Sequence, residues 1–576
     1  MRGATDAIAR AYQSSSPTWT GVVLICLLVS IMLVPFINKP FHLDDPFYIW
    51  VAQQIAEDPL DFYGFDVNWQ GTPESAASVN KNPPLVSHFI AVFGSLFGWS
   101  EIVLHAAMLL PAMGLCVGTY YLASLMTQRP LLAAIIGSVT PVFCLSASNI
   151  MAETLMLCFY IWAAYYWLIG TERNRFGWLM LAALLAALST LTKYFGVTSF
   201  LLFAAVSIYQ VKRPGLWIVA LIFGISIILA YERYMYLTYG QAHLFAAAEF
   251  ASEFRDVVPV NGSMSQKLLI GLSFLGACVA PVLVYMPLLV TKRTAKKLAG
   301  VAGLGAVWFI FLGVDFFTLS SAVSESPSLY AVQWGIWFVA GAFTLWLAAT
   351  EFRRNPSMYT LFLLFATLGA FSFSTFVNWS INGRSLILAG PVIAIVLARR
   401  VPALNPDVRG SREWRFVIPL APVIVLSVAL NWADYRLASA SRRAAEYYSA
   451  VFDGSPGTVW YQGHWGFQYY MDQFGAQHFD KNQPEIESGD FMVAHVNNTE
   501  TYPMHTDAVD RSHLYDVKVC RWLATWNPGV GATFYAHSVG ALPFVFTAVG
   551  PESYIGWELK YSGELELSLE ETEEAS

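Results

Sequence analysis

Pro40-Phe41-His42-Leu43-Asp44-Asp45-Pro46-Phe47-Tyr48 opens a polar interruption, roughly residues 38–100, between the first two strongly apolar segments of the chain. Two adjacent carboxylates directly after a membrane-spanning candidate stand out in a chain where only 13% of residues are charged. Asp45-Pro46 reads as a helix start, because aspartate satisfies orphan backbone N–H groups and proline is pre-set for the first turn. Phe47, Tyr48, Ile49, Val51 and Ile55 follow, interrupted by Gln53, Gln54, Glu57 and Asp58. That pattern predicts a short amphipathic helix lying along a membrane face, too polar to cross it. With Asp45 as the cap, Asp44 sits just outside the helix and is left for other work. The same loop ends in Asn80-Lys81-Asn82-Pro83-Pro84-Leu85, a rigid lead into a second amphipathic stretch, Leu85 to Phe97.

Composition sets the class around this loop. The 576 residues are 56% apolar, with a mean hydropathy of +0.49, which implies repeated membrane spans rather than a soluble globule. Apolar segments recur near 21–37, 102–125, 130–148, 152–170, 176–192, 194–211 and 215–231. They continue near 268–290, 299–317, 331–349, 357–377, 384–398 and 415–431, about thirteen in all at roughly 20 residues per span. The first, Val22 to Phe36, reads as a retained anchor.

Charge asymmetry orients the chain. With the N-terminus in the cytoplasm, Arg2 and Arg10, Arg129, Arg173 and Arg175, and Lys212 and Arg213 all fall inside. So do Lys292 to Lys297, Arg353 and Arg354, and Arg399 to Arg415, while the alternate turns carry few basic residues. Residues 38–100, 232–267 and the tail are therefore expected outside the cytoplasm. The tail, 432–576, changes character: charges rise and long apolar runs stop. Gly457–Tyr461 and Asp490–Asn497 read as strands and Gly466–Phe474 as a short helix, which predicts a small α/β domain. Residues 554–569 alternate with period two, as an exposed edge strand does, and 570–576 read as a disordered end.

Other classes are excluded or weakened. A net charge of −7 without a concentrated basic stripe argues against a nucleic-acid partner. Five of the six cysteines lie in apolar runs, so no disulfide framework or cysteine metal site is expected.

The candidate chemistry lies on the outer face. Asp44 and Asp45 adjoin the bilayer. Glu153, in Asn149-Ile-Met-Ala-Glu153-Thr, stands at the mouth of a tight outer turn, a costly place for an acid without solvent or a partner. Lys193, in Leu188-Ser-Thr-Leu-Thr-Lys193-Tyr194-Phe-Gly196, is a cation against the usual charge bias and suits an anionic group such as a phosphate. Arg384, after Asn378-Trp-Ser-Ile-Asn382, could bind a second anion, and Lys81 and Asn82 offer a cation and an amide. An attacking acceptor hydroxyl needs a carboxylate base, and a departing phosphate needs positive charge where its own develops. Carboxylates and cations on one outer face therefore suit transfer from a lipid-phosphate donor. His42 and Asp44 lack clean metal-ligand spacing, so a divalent metal is left open, with Asp44 and Glu153 as its candidate ligands.

Four motifs in order resemble the multi-spanning GT-C glycosyltransferases that use polyprenyl-phosphate sugars, the protein O-mannosyltransferases and lipid A aminoarabinose transferases. They are Leu43-Asp44-Asp45-Pro46-Phe47-Tyr48, Asn82-Pro83-Pro84-Leu85, Met151-Ala-Glu153-Thr-Leu and Leu191-Thr-Lys193-Tyr194-Phe-Gly196. The resemblance covers about residues 20–210. It implies a polytopic α-helical membrane domain over 1–431, with interfacial helices in the first outer loop, and a C-terminal extracytoplasmic α/β domain over 432–576. It implies Asp44 as general base, Asp45 as its support or the helix cap, and Glu153 as the second acid. Lys193 would bind the lipid phosphate, with Tyr48, Tyr194, Lys81, Asn82 and Arg384 as further substrate-binding candidates. The family often has Lys or His immediately before Pro-Pro, where this chain has Asn82. The donor implied is a polyprenyl-phosphate sugar, the acceptor a glycan, lipid or protein, the outcome inversion, and the functional unit a monomer. The expected address is the bacterial cytoplasmic membrane, given the intramembrane cysteines and no retention signal. The rival readings are a transporter or flippase of a lipid-linked sugar and a non-catalytic envelope assembly protein.

Overall fold

The computed structural model describes residues 16–257, 263–290, 327–401, 414–482, 486–502, 508–536 and 540–560, with Lys296, Gly300, Gly303 and Met504 between them. The chain is a polytopic α-helical membrane protein with a C-terminal mixed α/β domain. Eight helices among the described residues are long and apolar enough to cross a bilayer. Two bent pairs, Pro130–Ser138 with Pro141–Ala147 and Met264–Cys278 with Pro281–Leu289, raise the number to ten if each is one span. Pro141 and Pro281 explain both breaks, since proline starts a helix well but cannot continue the one before it.

Thirteen spans are thus not established. Of the expected segments, 176–192 is a helix of 17 residues and 384–398 shortens to Ala389–Arg400, of 12. The segment 299–317 falls outside the described residues.

The first outer loop folds largely as its pattern predicts. Asp45–Glu57 and Leu85–Phe97 are helices, and a hairpin of Asp66–Asn68 with Pro73–Ser75 lies between them. The interfacial helix Asp45–Glu57 buries Phe47, Tyr48, Ile49, Val51, Ala52 and Ile55. Its polar side, Gln53, Gln54 and Glu57, lines a pocket shared with the C-terminal domain.

The last membrane helix, Ala421–Val451, runs 31 residues, passing residue 432 without interruption and entering the C-terminal domain. There the Tyr448 hydroxyl donates to the carbonyls of Tyr554 (2.8 Å) and His513 (2.7 Å). The domain is a five-stranded mixed sheet in the order Gln477–His478, Val459–Gln462, Phe491–His495, Glu552–Leu559, Val509–Val517. Val459–Gln462 pairs parallel to both its neighbours, whereas Glu552–Leu559 pairs antiparallel on both sides.

The alternating strand is therefore interior, not at the edge as its period suggests. One of its faces packs on the long helix and the other is half-covered, which gives alternation without exposure. Residues 561–576, including the expected disordered end, lie outside the described residues. One apolar core runs continuously from Ile25 in the first membrane helix to Tyr554 in this sheet.

The domain is clasped to the first outer loop. His464 stacks on Trp69, with ring centroids 5.3 Å apart, and is 4% exposed. Burial pulls its imidazole down to about 4 from 6.5, against an opposing pull from Asp44. On acidification the unfolded chain takes up the proton first. The stability His464 contributes is therefore complete above pH 6.5 and lost as pH falls toward 4, by up to roughly 3 kcal/mol. The thermal midpoint is expected to fall between pH 7.5 and 4.5, and to fall less in His464→Gln. Parallel curves for the two proteins would remove His464 from the effect.

Candidate functional site

Four elements meet at the start of the helix Asp45–Glu57. Asp44 precedes the interfacial helix, in a turn where the buried Leu43 takes φ +49°, a conformation unusual for a residue with a side chain. Two bonds clamp the turn: the Asp45 N–H donates to the His42 carbonyl, and the His42 N–H donates to Asp45 Oδ2, both at 3.0 Å. The expected cap is corrected here. Asp44, not Asp45, occupies the cap position, and it makes no side-chain cap bond. Asp45 lies in the first turn, fully buried, and its Oδ1 accepts the Ile150 N–H at 2.9 Å. It thus ties the loop to the turn before Glu153. Burial pushes its carboxyl up to about 7, with Lys39 and the two backbone donors pulling the other way.

Glu153 lies in the first turn of Ala152–Arg173, where a carboxylate complements the helix dipole. Lys193 lies in extended backbone between the helix Phe176–Thr192 and the 3-10 turn Tyr194–Val197. The break depends on Gly196: a Cβ there would come within 2.5 Å of the Ser189–Thr190 backbone. Arg384 starts a 3-10 turn pinned by the Gly383 N–H to the Phe534 carbonyl at 2.8 Å.

The charges alternate in a row. Arg384 Nη1 donates to Asp44 Oδ2 at 2.7 Å, Arg384 Nε lies 3.8 Å from Glu153 Oε1, and Lys193 Nζ donates to Glu153 Oε1 at 2.5 Å. The ends of the row reach solvent, with the Asp44 side chain 37% exposed and Lys193 21%, while Glu153 in the middle is at 1%. Asp44 Oδ1 and Glu153 Oε2 take no protein hydrogen bond among the described residues. Tyr48 is buried beside the row. Burial, and after it the carboxylates of Glu153 and Asp44, push its phenol well above the ordinary value, so it is neutral.

Three sequence candidates point elsewhere. The Tyr194 hydroxyl donates to Glu232 Oε1 at 3.0 Å, and its ring meets His243. Lys81 donates to the Ser78 carbonyl and lies 5.6 Å from the centre of the Phe250 ring. Asn82 offers its carbonyl to the Tyr63 hydroxyl at 2.8 Å. The Asn80 carbonyl contacts His243 Nε2 at 2.5 Å, which joins this loop to Tyr194.

Behind the row lies a network that the sequence motifs do not mark. Lys39 Nζ donates to Asp434 Oδ2 and Asn149 Oδ1, each at 2.6 Å, with both charged side chains wholly buried. Asp434 also accepts from the hydroxyls of Tyr535 and Thr525 at 2.7 Å. Tyr535, from the C-terminal domain, sits under the Arg384 guanidinium at 5.5 Å. Lys39 carries the signal that marks Lys193, a lone cation on the outer side. Nothing local marks Tyr535.

Among the described residues no group of three or more His, Cys, Asp or Glu side chains is arranged to hold a metal ion. Arg384 lies between Asp44 and Glu153, so an ion bound by both would have to take its place.

Residues 81–231 match the family model described as dolichyl-phosphate-mannose-protein mannosyltransferase. The matched stretch holds Lys81, Asn82, Glu153, Lys193 and Tyr194, and leaves Asp44 and Arg384 outside it. No curated protein matches the chain. Among solved structures it is similar to an archaeal oligosaccharyltransferase, AglB from Archaeoglobus fulgidus, in complex with an inhibitory peptide and a dolichol-phosphate. That likeness has 12% identity and a TM-score of 0.47, over 83% of this chain and 69% of that one. It is similar to ArnT from Cupriavidus metallidurans bound to undecaprenyl phosphate, at 13% identity and a TM-score of 0.38, over 83% and 94%. A third is the arabinofuranosyltransferase AftD from Mycobacteria, at 12% and 0.39, over 96% and 41%. At TM-scores below 0.5 none of these likenesses decides fold or function.

Proposed function

We propose that the chain is an inverting glycosyltransferase. It moves a sugar from a polyprenyl-phosphate donor to a hydroxyl acceptor on a lipid, glycan or protein, at the outer face of a bacterial cytoplasmic membrane. The observation that carries this reading is the row Asp44, Arg384, Glu153, Lys193, with a partly exposed carboxylate at one end and a partly exposed cation at the other. It is supported by the family match over 81–231.

The acceptor oxygen forms a bond to the anomeric carbon as the bond from that carbon to the phosphate oxygen breaks. The acceptor proton passes to Asp44 Oδ1, and the phosphate leaves with the bonding pair. Attack from the side opposite the phosphate inverts the anomeric centre. Arg384 holds Oδ2 and fixes the direction of Oδ1. Lys193 gives one N–H to Glu153 and keeps two for the phosphate, where charge develops. Glu153 acts by aiming Lys193 and Arg384, and Asp45 by holding the turn that carries Asp44. In this reading residues 1–431 carry the transfer and 432–576 complete the site through Tyr535.

Lys193→Ala is expected to raise the Kd for polyprenyl phosphate about 10- to 100-fold, the loss of one charge-assisted contact. Equilibrium binding in nanodiscs reads this directly. An unchanged Kd would take Lys193 out of the phosphate site.

A further inference from the structure

Between the interfacial helix and the C-terminal domain lies a pocket of about 410 Å³ that the transfer chemistry does not use. One wall is the polar stripe of that helix, Trp50, Gln53, Gln54 and Glu57, which recur at the spacing of a single helical face. The stripe starts six residues after Asp44 and so lies about 9 Å further along the helix, at 1.5 Å per residue. The opposite wall comes from the C-terminal domain through Tyr461, Gln468, Asp472 and His478, and the floor includes Asn68 of the hairpin.

The lining is rich in acceptors, among them the carboxylates of Glu57, Asp66 and Asp472, and poor in cations. Asn68 and Gln468 are 8% and 4% exposed, yet Asn68 Oδ1 and Gln468 Oε1 have no hydrogen-bond partner among the described residues. Buried carbonyl oxygens of this kind are normally satisfied. Each residue's amide nitrogen is already committed, Asn68 Nδ2 to the Phe479 carbonyl at 2.9 Å and Gln468 Nε2 to the Asn68 carbonyl at 3.1 Å. The side-chain amides are thus fixed with their oxygens left over. No Lys or Arg lines the pocket, which disfavours an anionic ligand, and the Trp50 indole supplies an apolar face.

We infer that this pocket is a subsite for a neutral, hydroxyl-rich sugar ring of the acceptor. The acceptor is then a glycan chain, its terminal hydroxyl at Asp44 and a more distant residue lying against Trp50. Sugar hydroxyls donate to the Asn68 and Gln468 oxygens while a ring face covers the indole. The inference rests on the transfer reading for its direction, but the binding it describes does not need catalysis.

The test is saturation-transfer NMR on the full chain in nanodiscs. Its probes are two neutral tetrasaccharides, mannotetraose and galactotetraose, with spermine and a galacturonate tetramer for comparison. A neutral tetrasaccharide is expected to bind the natural chain. Trp50→Ala and Gln53→Trp are expected to weaken it about tenfold or more, the equivalent of 1.4 kcal/mol. Gln53 is half-buried and its replacement adds bulk to the pocket without removing a packing contact, so it guards against a Trp50→Ala chain that does not fold. Binding of spermine alone, binding of the acidic tetramer alone, or no neutral binding would overturn the inference. So would neutral binding that Gln53→Trp leaves unchanged. Full transfer by Asp44→Asn, with neutral binding intact, would sink the catalytic reading and spare the subsite.

Discussion

Asp44→Asn is expected to lower the rate of sugar transfer by about 10²- to 10⁴-fold, the usual contribution of a positioned general base. The amide keeps the size of the carboxylate, but it cannot take the acceptor proton. Asn can still offer its carbonyl oxygen to Arg384, so the turn and the arginine are expected to hold. The loss should therefore fall on turnover, with donor affinity within a few-fold of the natural value. Asp45→Asn behaves differently. Its carboxylate accepts two backbone N–H groups from inside the protein, and the amide loses one of these bonds. Its defect is expected in thermal stability and in the position of Asp44. Equal transfer by Asp44→Asn and the natural chain, measured with purified protein, would remove Asp44 as the base.

Lys39→Met is expected to cost about 3–5 kcal/mol of stability, because it strands the Asp434 carboxylate in a site with no access to water. The hydrogen bonds left to Asp434, from the Tyr535 and Thr525 hydroxyls, come from neutral groups, and the nearest basic side chain left is His42, with Nε2 3.7 Å from Asp434 Oδ1. The pair bridges the end of the first membrane helix and the last one, so its loss should also loosen the C-terminal domain. Replacing both partners, Lys39→Met with Asp434→Leu, should recover much of the loss, since an apolar pair has no charge to desolvate. Thermal unfolding of both single variants and the double variant measures the coupling. A Lys39→Met protein as stable as the natural chain would contradict the buried pair.

Much of this layout is legible in the sequence for definite reasons. Hydropathy marks the membrane helices because lipid demands long apolar runs, and the charge bias orders the loops. Asp44, Glu153 and Lys193 stand out because ionised groups are rare at such positions, and the fold brings them into one row with Arg384. The cap assignment within Asp44-Asp45 is corrected by the structure: Asp44 holds the cap position, and Asp45 is tied to His42 and Ile150. Lys81 and Asn82 share the outer face but point into a separate aromatic cluster, because topology fixes a side of the membrane and not a side-chain direction. Asp434 meets Lys39 across 395 positions of sequence and Tyr535 across 101, and no local pattern encodes such pairings. The interior strand Glu552–Leu559 has the alternation of an edge because a half-covered face looks the same in one dimension whether neighbours lie on one side or two.

A structure of the chain in nanodiscs with a polyprenyl-phosphate sugar bound tests the central claim most directly. The phosphate is predicted within hydrogen-bond distance of Lys193 Nζ and on the Arg384 side of Glu153, with the anomeric carbon facing the space in front of Asp44 Oδ1. A phosphate held away from Lys193 and Arg384, with Asp44 out of reach of the anomeric carbon, would contradict it.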